Sequence, residues 1–436
     1  MGMRSDPARP ADQGLYELAI LYVVLDGVGD KPDPRYQNRT PLEAASTSNL
    51  DRLTARGTMG TVYTVKRGIA PESDAGVFSL LGYDPSKTDL SRGVVEALGS
   101  GIDFRDGDLA LRCNFATVSD GQILDRRAGR DVSTEEATEL ANAVNSAARL
   151  RELAEFQLEA TIGHRCALVL RGDRTKFSDS ISNMDPAYIR SGKVAVAKSG
   201  LKLPVPIPIC VPLTRSKAAV QTAELLNQFA SELHKVLRDH PVNVRRRERR
   251  DLPANFLLMR DAGTRKPNVR TLREKFGFSS VALADMPVEL GVAQVVGMDT
   301  EIFPLDRSLE GYYKRAKKAM ELASRYDLVY VHLKGPDEPG HDGDFEGKRK
   351  SIEDIDGGFF SNLTDLDSKL VCVTADHSTP CVAKGHTDDP VPLLIAGPNV
   401  SSDGSFRFTE SYAEKGKLGT VKHGYEILKM LKKMVA

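Results

Sequence analysis

Short apolar runs that end in an acidic residue punctuate this chain. Leu21–Leu25 runs into Asp26, and Leu328–Val331 is followed by Asp337 and His341. Leu370–Thr374 passes through Ala375 into Asp376 and His377. Runs this short and rich in β-branched residues predict strands of a parallel sheet buried on both faces. Helical signals alternate with them. Leu42–Arg56 predicts a helix stopped by Gly57, and Val77, Leu80 and Leu81 carry helical spacing after Ser73 until Gly82.

Between residues 104 and 250 the texture changes. A strand-like patch at Leu109–Val118 is followed by a long helical stretch from Thr134 to Glu159 and a strand at Cys166–Leu170. A Pro-interrupted run over Leu201–Leu213 leads into a helix from Ala218 to Leu237. These signals predict a small α+β core. Alternation resumes at Phe256, so the strands before Asp26 and Asp376 flank the block. If they share a sheet, residues 15–103 and 251–436 form one discontinuous α/β domain, and 104–250 is an inserted domain. The polar, Pro-containing stretch 1–14 reads as a disordered arm. The basic cluster Arg245–Arg250 has no interleaved aromatic residues and reads as a solvated hinge loop. Near the end, Ile427, Leu428, Leu431 and Val435 share one helical face, which predicts a helix docked on the core.

Composition narrows the function classes. The 436 residues carry 60 Lys and Arg against 60 Asp and Glu, so no global field favours nucleic acid or a lipid surface. No apolar stretch approaches the roughly 20 residues that span a bilayer. The first residues lack the apolar core of a signal peptide, and the expected location is the cytoplasm. Five scattered cysteines without C-x-x-C spacing read as reduced, mostly buried thiols.

The chemistry concentrates at strand ends. In open α/β sheets the ligand crevice lies beyond the carboxyl ends of the strands. Asp26, Asp337, His341, Asp376 and His377 would meet at that rim, with His386 following closely, which is the ligand supply of a two-metal site. Mixed carboxylate and imidazole ligands suit Mn, Zn, Fe or Co better than Ca. Asp337 and His341 converge if their segment is helical, although Pro336 and Pro339 favour a tight loop. His332 and Lys334 read as supporting residues at the same strand end, and His423 as a helix cap. Ser73 stands at or beside a helix N-terminus, where free N–H groups favour an anion. It reads either as an ordinary N-cap or as a nucleophile activated by a metal ion. Asp74 reads as a first-turn helix acid.

Several segments together carry a resemblance. They are Asp26-Gly27-Val28-Gly29-Asp30, Thr40-Pro41-Leu42-Glu43-Ala44-Ala45, and Ser73 ahead of Leu80-Leu81-Gly82-Tyr83-Asp84-Pro85. Asp125-Arg126-Arg127-Ala128-Gly129-Arg130, Lys334-Gly335-Pro336-Asp337-Glu338-Pro339-Gly340-His341 and Asp376-His377 complete the set. The chain resembles the archaeal-type, cofactor-independent phosphoglycerate mutases of the alkaline phosphatase superfamily. The resemblance implies an alkaline-phosphatase-like, mostly parallel sheet flanked by helices and interrupted by a smaller α+β substrate-binding domain. It implies one divalent metal ion held by Asp26, Ser73, Asp376 and His377, and another held by Asp337, His341 and His386. Manganese is the first choice, with Zn, Co, Fe or Mg as substitutes.

The implied reaction interconverts 3-phosphoglycerate and 2-phosphoglycerate through a phosphoserine, without 2,3-bisphosphoglycerate. The implied partner is therefore a small phosphoglycerate, with neither nucleic acid nor membrane involved. Such a substrate needs cations for a phosphate and a carboxylate, and Arg112, Arg126, Arg127, Arg130, His164, Arg165 and Arg260 are the candidates. One position departs from the family pattern. Glu72 stands where glycine is expected before the nucleophile, and its charge would repel a phosphoryl group unless it points away. Two other readings remain: a phosphotransferase or phosphomonoesterase on the same site, homoserine-kinase-like for example, and a non-catalytic metal-stabilised binding protein.

Overall fold

The run Ala19–Leu25 forms a central strand of an eight-stranded sheet, and Ile20–Leu25 are at most 1 % exposed. This computed structural model describes residues 18–148, 154–172, 176–191, 194–197 and 201–435; the expected disordered arm at 1–14 lies outside the described residues. In order across the sheet the strands are Asp299–Ile302, Ser280–Ala284, Leu328–Leu333, Ala19–Leu25, Lys369–Thr374, Val391–Ala396, Gly57–Val62 and Gly419–Val421. Val391–Ala396 runs antiparallel to both its neighbours, and every other pairing is parallel.

The register explains how the site is placed. Leu25 pairs with Leu333, and Val24 pairs with Thr374, so three parallel strands end level at one edge. Asp26 and Asp376 are the next or next-but-one residues, and the chain beyond Leu333 turns into the Asp337–Asp342 helix. Ile427, Leu428, Leu431 and Val435 are buried along the terminal helix Ile427–Val435, as their spacing predicts.

The chain divides into two compact units. One comprises residues through Thr88, Val269–Asp285 and from Val292 onward; the other comprises Asp89–Asn268 with Met286–Gly291. The boundaries expected at 103/104 and 250/251 therefore need correction. Phe256–Gly263 pairs antiparallel with Leu109–Ser119 and belongs to the second unit's six-stranded sheet. The helix Arg92–Gly99 also belongs there, and it packs so close that a Cβ on Gly93 would lie 2.5 Å from the Asp261 carbonyl oxygen.

Three local expectations also change. The helix foreseen from Thr134 to Glu159 stops at Ala147, and Ala154–Ala160 is a strand paired along Arg165–Gly172. Burial alternates along it as in a strand, Leu158 being buried while Glu155 and Gln157 are exposed. The helix foreseen over Leu42–Arg56 breaks into Pro41–Ala44 and Ser48–Thr54, because Ala45 is extended. The basic cluster is not a solvated loop. Most of it lies in the helix Pro241–Glu248, and Arg246 is fully buried, donating to Glu136 Oε2 at 2.7 Å, to the Leu252 carbonyl at 2.9 Å and to Asp131.

Candidate active site

Two clusters of ligand-type side chains sit beyond the level strand ends. Asp26, Asp376 and His377 form the buried one, and Asp337, His341 and His386 form the more exposed one. In the first, His377 Nε2 lies 3.3 Å from Asp376 Oδ2, 3.6 Å from Asp26 Oδ1 and 3.4 Å from Ser73 Oγ. In the second, His341 Nε2 and His386 Nε2 are 3.2 Å apart and lie 3.6 and 3.5 Å from Asp337 Oδ1. Donors about 2.1 Å from a tetrahedral ion stand about 3.4 Å from one another, so both sets suit a divalent cation. The rings of His377 and His386 stack at 3.7 Å and join the clusters.

Polar satisfaction points the same way. Asp26 Oδ1 and Asp376 Oδ2 are buried and meet no donor in hydrogen-bonding geometry among the described residues. The other Asp376 oxygen accepts the Gly27 N–H at 3.1 Å. His386 Nδ1 lies 2.8 Å from the Pro71 carbonyl, which only accepts, so that nitrogen donates and the ring presents Nε2 to Asp337 and His341.

The electrostatics are those of a concentrated charge cluster. Burial raises Asp26, yet Lys334, His332 and His377 hold it well below the ordinary carboxylate range. Burial and Asp26 raise Asp337, but His386 and His377 outweigh them and lower it. His386 moves up to about 9 against its burial, through its bond to Asp337 and the charges of Asp337 and Glu72. Burial pushes His377 down.

Local sequence explains the convergence. Asp337–Asp342 is helical, contrary to the loop that the two prolines favour. Pro336 is the N-cap and Pro339 lies in the first turn, where no backbone N–H needs an intrahelical partner. Asp337 and His341 therefore share a face. Ser73 is the first residue of the helix Ser73–Leu80, with Glu72 and not Ser73 as its N-cap. Gly76 lets that helix approach Asp376, since a Cβ there would lie 2.5 Å from the Asp376 carbonyl oxygen. Glu72 is exposed with φ −80° and ψ 159°, an extended conformation that needs no glycine. Gly27 has φ +60°, and a Cβ on it would meet Asp337 Oδ1 at 2.7 Å.

His332 is wholly buried, with Nε2 3.7 Å from Asp26 Oδ1, and Lys334 Nζ lies 3.1 Å from Asp26 Oδ2. His423 faces the Val65 carbonyl at 3.0 Å. Asp74 lies in the first turn of the Ser73–Leu80 helix.

The seven candidate substrate-binding residues all lie in the second unit. His164 is pushed down to about 3 by burial and by Arg165, Arg127, Arg130 and Arg112, so these groups crowd one another. Arg112 falls to about 9 through burial and the charges of Arg92 and Arg260, while its Nε sits 3.3 Å from Glu96. Arg126 is tied bidentately to the buried Asp185 at 2.6 and 2.7 Å. Arg260 lies 3.6 Å from the same carboxylate, with its guanidinium 4.0 Å above the Tyr188 ring. A cavity of about 500 Å³ is lined by Asp125, Arg126, Arg127, Gly129 and Arg130, with Ala187, Leu201 and Leu203.

Sequence reasoning missed Asp185, Tyr188 and Arg307. Asp185 lies in an irregular, aperiodic segment. Arg307, paired with Glu338 and within the field of Asp26, sits in an irregular stretch just ahead of the Leu309–Ala323 helix. Nothing in its local pattern marks it.

A family model described as 2,3-bisphosphoglycerate-independent phosphoglycerate mutase matches residues 54–243. A mutase of that description from Aeropyrum pernix is 45 % identical over 94 % of this chain and 98 % of its own length. One from Archaeoglobus fulgidus is 40 % identical over 94 % of this chain and 96 % of its own length. The solved structure of a cofactor-independent phosphoglycerate mutase from Thermoplasma acidophilum superposes with a TM-score of 0.63 at 34 % identity, covering 96 % of this chain and all of that one. Relatives this similar over nearly the whole length place the chain in the 2,3-bisphosphoglycerate-independent phosphoglycerate mutase family of enzymes.

Proposed function

We propose that the chain catalyses the metal-dependent interconversion of 3-phosphoglycerate and 2-phosphoglycerate, with Ser73 carrying the phosphoryl group between the two oxygens. The observation that carries this reading is the position of Ser73. Its Oγ lies 3.4 Å from His377 Nε2, at the first turn of a helix and beside two clusters of carboxylates and imidazoles. Asp26, Ser73, Asp376 and His377 would hold one divalent cation, and Asp337, His341 and His386 the other. Bound there, the cations would lower the pKa of the serine hydroxyl and offset the charge of the phosphate.

Ser73 Oγ, having lost its proton, attacks the phosphorus of 3-phosphoglycerate. The bond from phosphorus to the substrate's 3-oxygen breaks, and that oxygen takes up a proton. The 2-hydroxyl of the resulting glycerate then attacks the phosphoserine, gives up its proton and restores Ser73. The positive end of the Ser73–Leu80 helix favours the anion carried on Ser73. Glu72 is exposed beside it, and its charge acts on His386. The crowded cations Arg112, Arg127, Arg130, Arg165 and Arg260 suit a substrate that bears both a phosphate and a carboxylate.

The test is an enolase-coupled assay with Mn²⁺ and without 2,3-bisphosphoglycerate. The expected result is 2-phosphoglycerate formed from 3-phosphoglycerate and lost on chelation. Release of inorganic phosphate with no 2-phosphoglycerate would overturn the mutase reading in favour of a phosphomonoesterase.

A further inference from the structure

The two ligand clusters share a hydroxyl that neither contributes as a ligand. Thr379 is wholly buried, and its Oγ1 lies 2.6 Å from Asp337 Oδ1 in the exposed cluster and 3.0 Å from His377 Nδ1 in the buried one. An ionised carboxylate only accepts, so the single hydroxyl hydrogen goes to Asp337. Toward His377 the oxygen then acts as the acceptor, which puts the ring proton on Nδ1. The lone pair of Nε2 is left directed at Asp376, Asp26 and Ser73.

The hydroxyl is held where it stands. The Thr379 N–H donates to the Gly29 carbonyl at 3.0 Å, and its own carbonyl accepts from the buried Lys348 Nζ at 2.9 Å. A Cβ on Gly27 would lie 2.8 Å from Thr379 Oγ1, and one on Gly340 would lie 2.5 Å from the Thr379 carbonyl oxygen. The loops after two strands and the helix carrying Asp337 thus close on this residue.

We infer that Thr379 is a positioning residue joining the two metal centres: one hydroxyl fixes the tautomer of His377 and the orientation of Asp337, so each ligand set is pre-organised through the other. This rests on the two-metal reading of the clusters and not on the identity of the substrate. Second hydrogen bonds to metal ligands commonly account for about 10- to 100-fold in metal affinity.

The experiment is a calorimetric Mn²⁺ titration of the full chain, comparing wild type with Thr379→Val and Thr379→Ser. Valine keeps the shape and removes both hydrogen bonds; serine keeps the hydroxyl. Expected are two ions per wild-type chain, affinity about 10- to 100-fold lower at both sites in T379V, and recovery to within about threefold in T379S. Undiminished affinity in T379V, or T379S as weak as T379V, would overturn the inference. If T379V does not fold, T379S and the ¹⁵N shifts of the wild-type His377 ring decide. A proton on Nδ1 with serine rescue supports the role, and a proton on Nε2 removes it. Wild type that fails to take up two ions would remove the two-metal reading and this inference with it, whatever the assay of phosphoglycerate turnover returns.

Discussion

Replacing Lys348 with Met should cost about 3–5 kcal/mol of folding stability, the range for breaking a buried ion pair by removing one partner. The Lys348 side chain is fully buried and that of Asp30 is 1 % exposed, with Nζ 2.9 Å from Asp30 Oδ2. Two further donations go to the carbonyls of Gly29 at 3.0 Å and Thr379 at 2.9 Å. Methionine fills much of the same space but leaves the carboxylate without its cation. Asp30 retains backbone N–H groups from Lys31 and Cys381, and Gly29 retains the Thr379 N–H, so the Thr379 carbonyl suffers the greater loss of hydrogen bonding. Against a typical total of about 5–15 kcal/mol, such a loss is a large fraction of the stability. Urea unfolding in the presence of a chelator reads it as a shift in midpoint at unchanged slope. In an Asp30→Asn background the same substitution should cost markedly less, since the charge it abandons is gone. A loss under about 1 kcal/mol, or equal losses in both backgrounds, would refute the reasoning from buried charge.

Two other outcomes follow from buried acids. Asp185→Asn should raise KM for phosphoglycerate more than it lowers kcat, and should cost about 3 kcal/mol of stability, because Arg126 and Arg260 lose the carboxylate that aligns them; steady-state kinetics and urea unfolding check both. Glu410 is raised to about 7 from an ordinary 4.5 by burial, with Glu43 and Asp30 adding to it, although it accepts from the Asp30 N–H and Thr40 Oγ1. The folded protein therefore holds this proton more tightly than the unfolded chain. Its contribution is complete below pH 4.5 and is lost as pH rises to about 7. Glu410→Gln should flatten that decline, as read from unfolding midpoints across the window.

The strand ends were legible because their runs are buried on both faces, which leaves few alternatives for Leu21–Leu25 or Leu370–Thr374. Ser73 was legible as a helix start because Gly82 and the apolar spacing frame the helix. The convergence of Asp337 and His341 was half legible: spacing brought them together, and prolines that a first turn tolerates argued for the wrong backbone. Ala154–Ala160 was hidden because its glutamates and alanines also suit a helix, and only pairing with Arg165–Gly172 decides it. Arg246 was hidden because its burial depends on Asp131 and Glu136, far away in the chain. Thr379 and Asp185 carry no local signal. Their roles arise only where separate segments meet.

The most direct measurement is rapid acid quenching of the Mn²⁺-loaded protein during turnover of 3-phosphoglycerate, followed by peptide mass spectrometry. Phosphate is expected on Ser73, formed and lost at rates that match turnover, with neither phosphopeptide nor activity in Ser73→Ala. Turnover at the wild-type rate with Ser73 unmodified, or in the alanine variant, would contradict it.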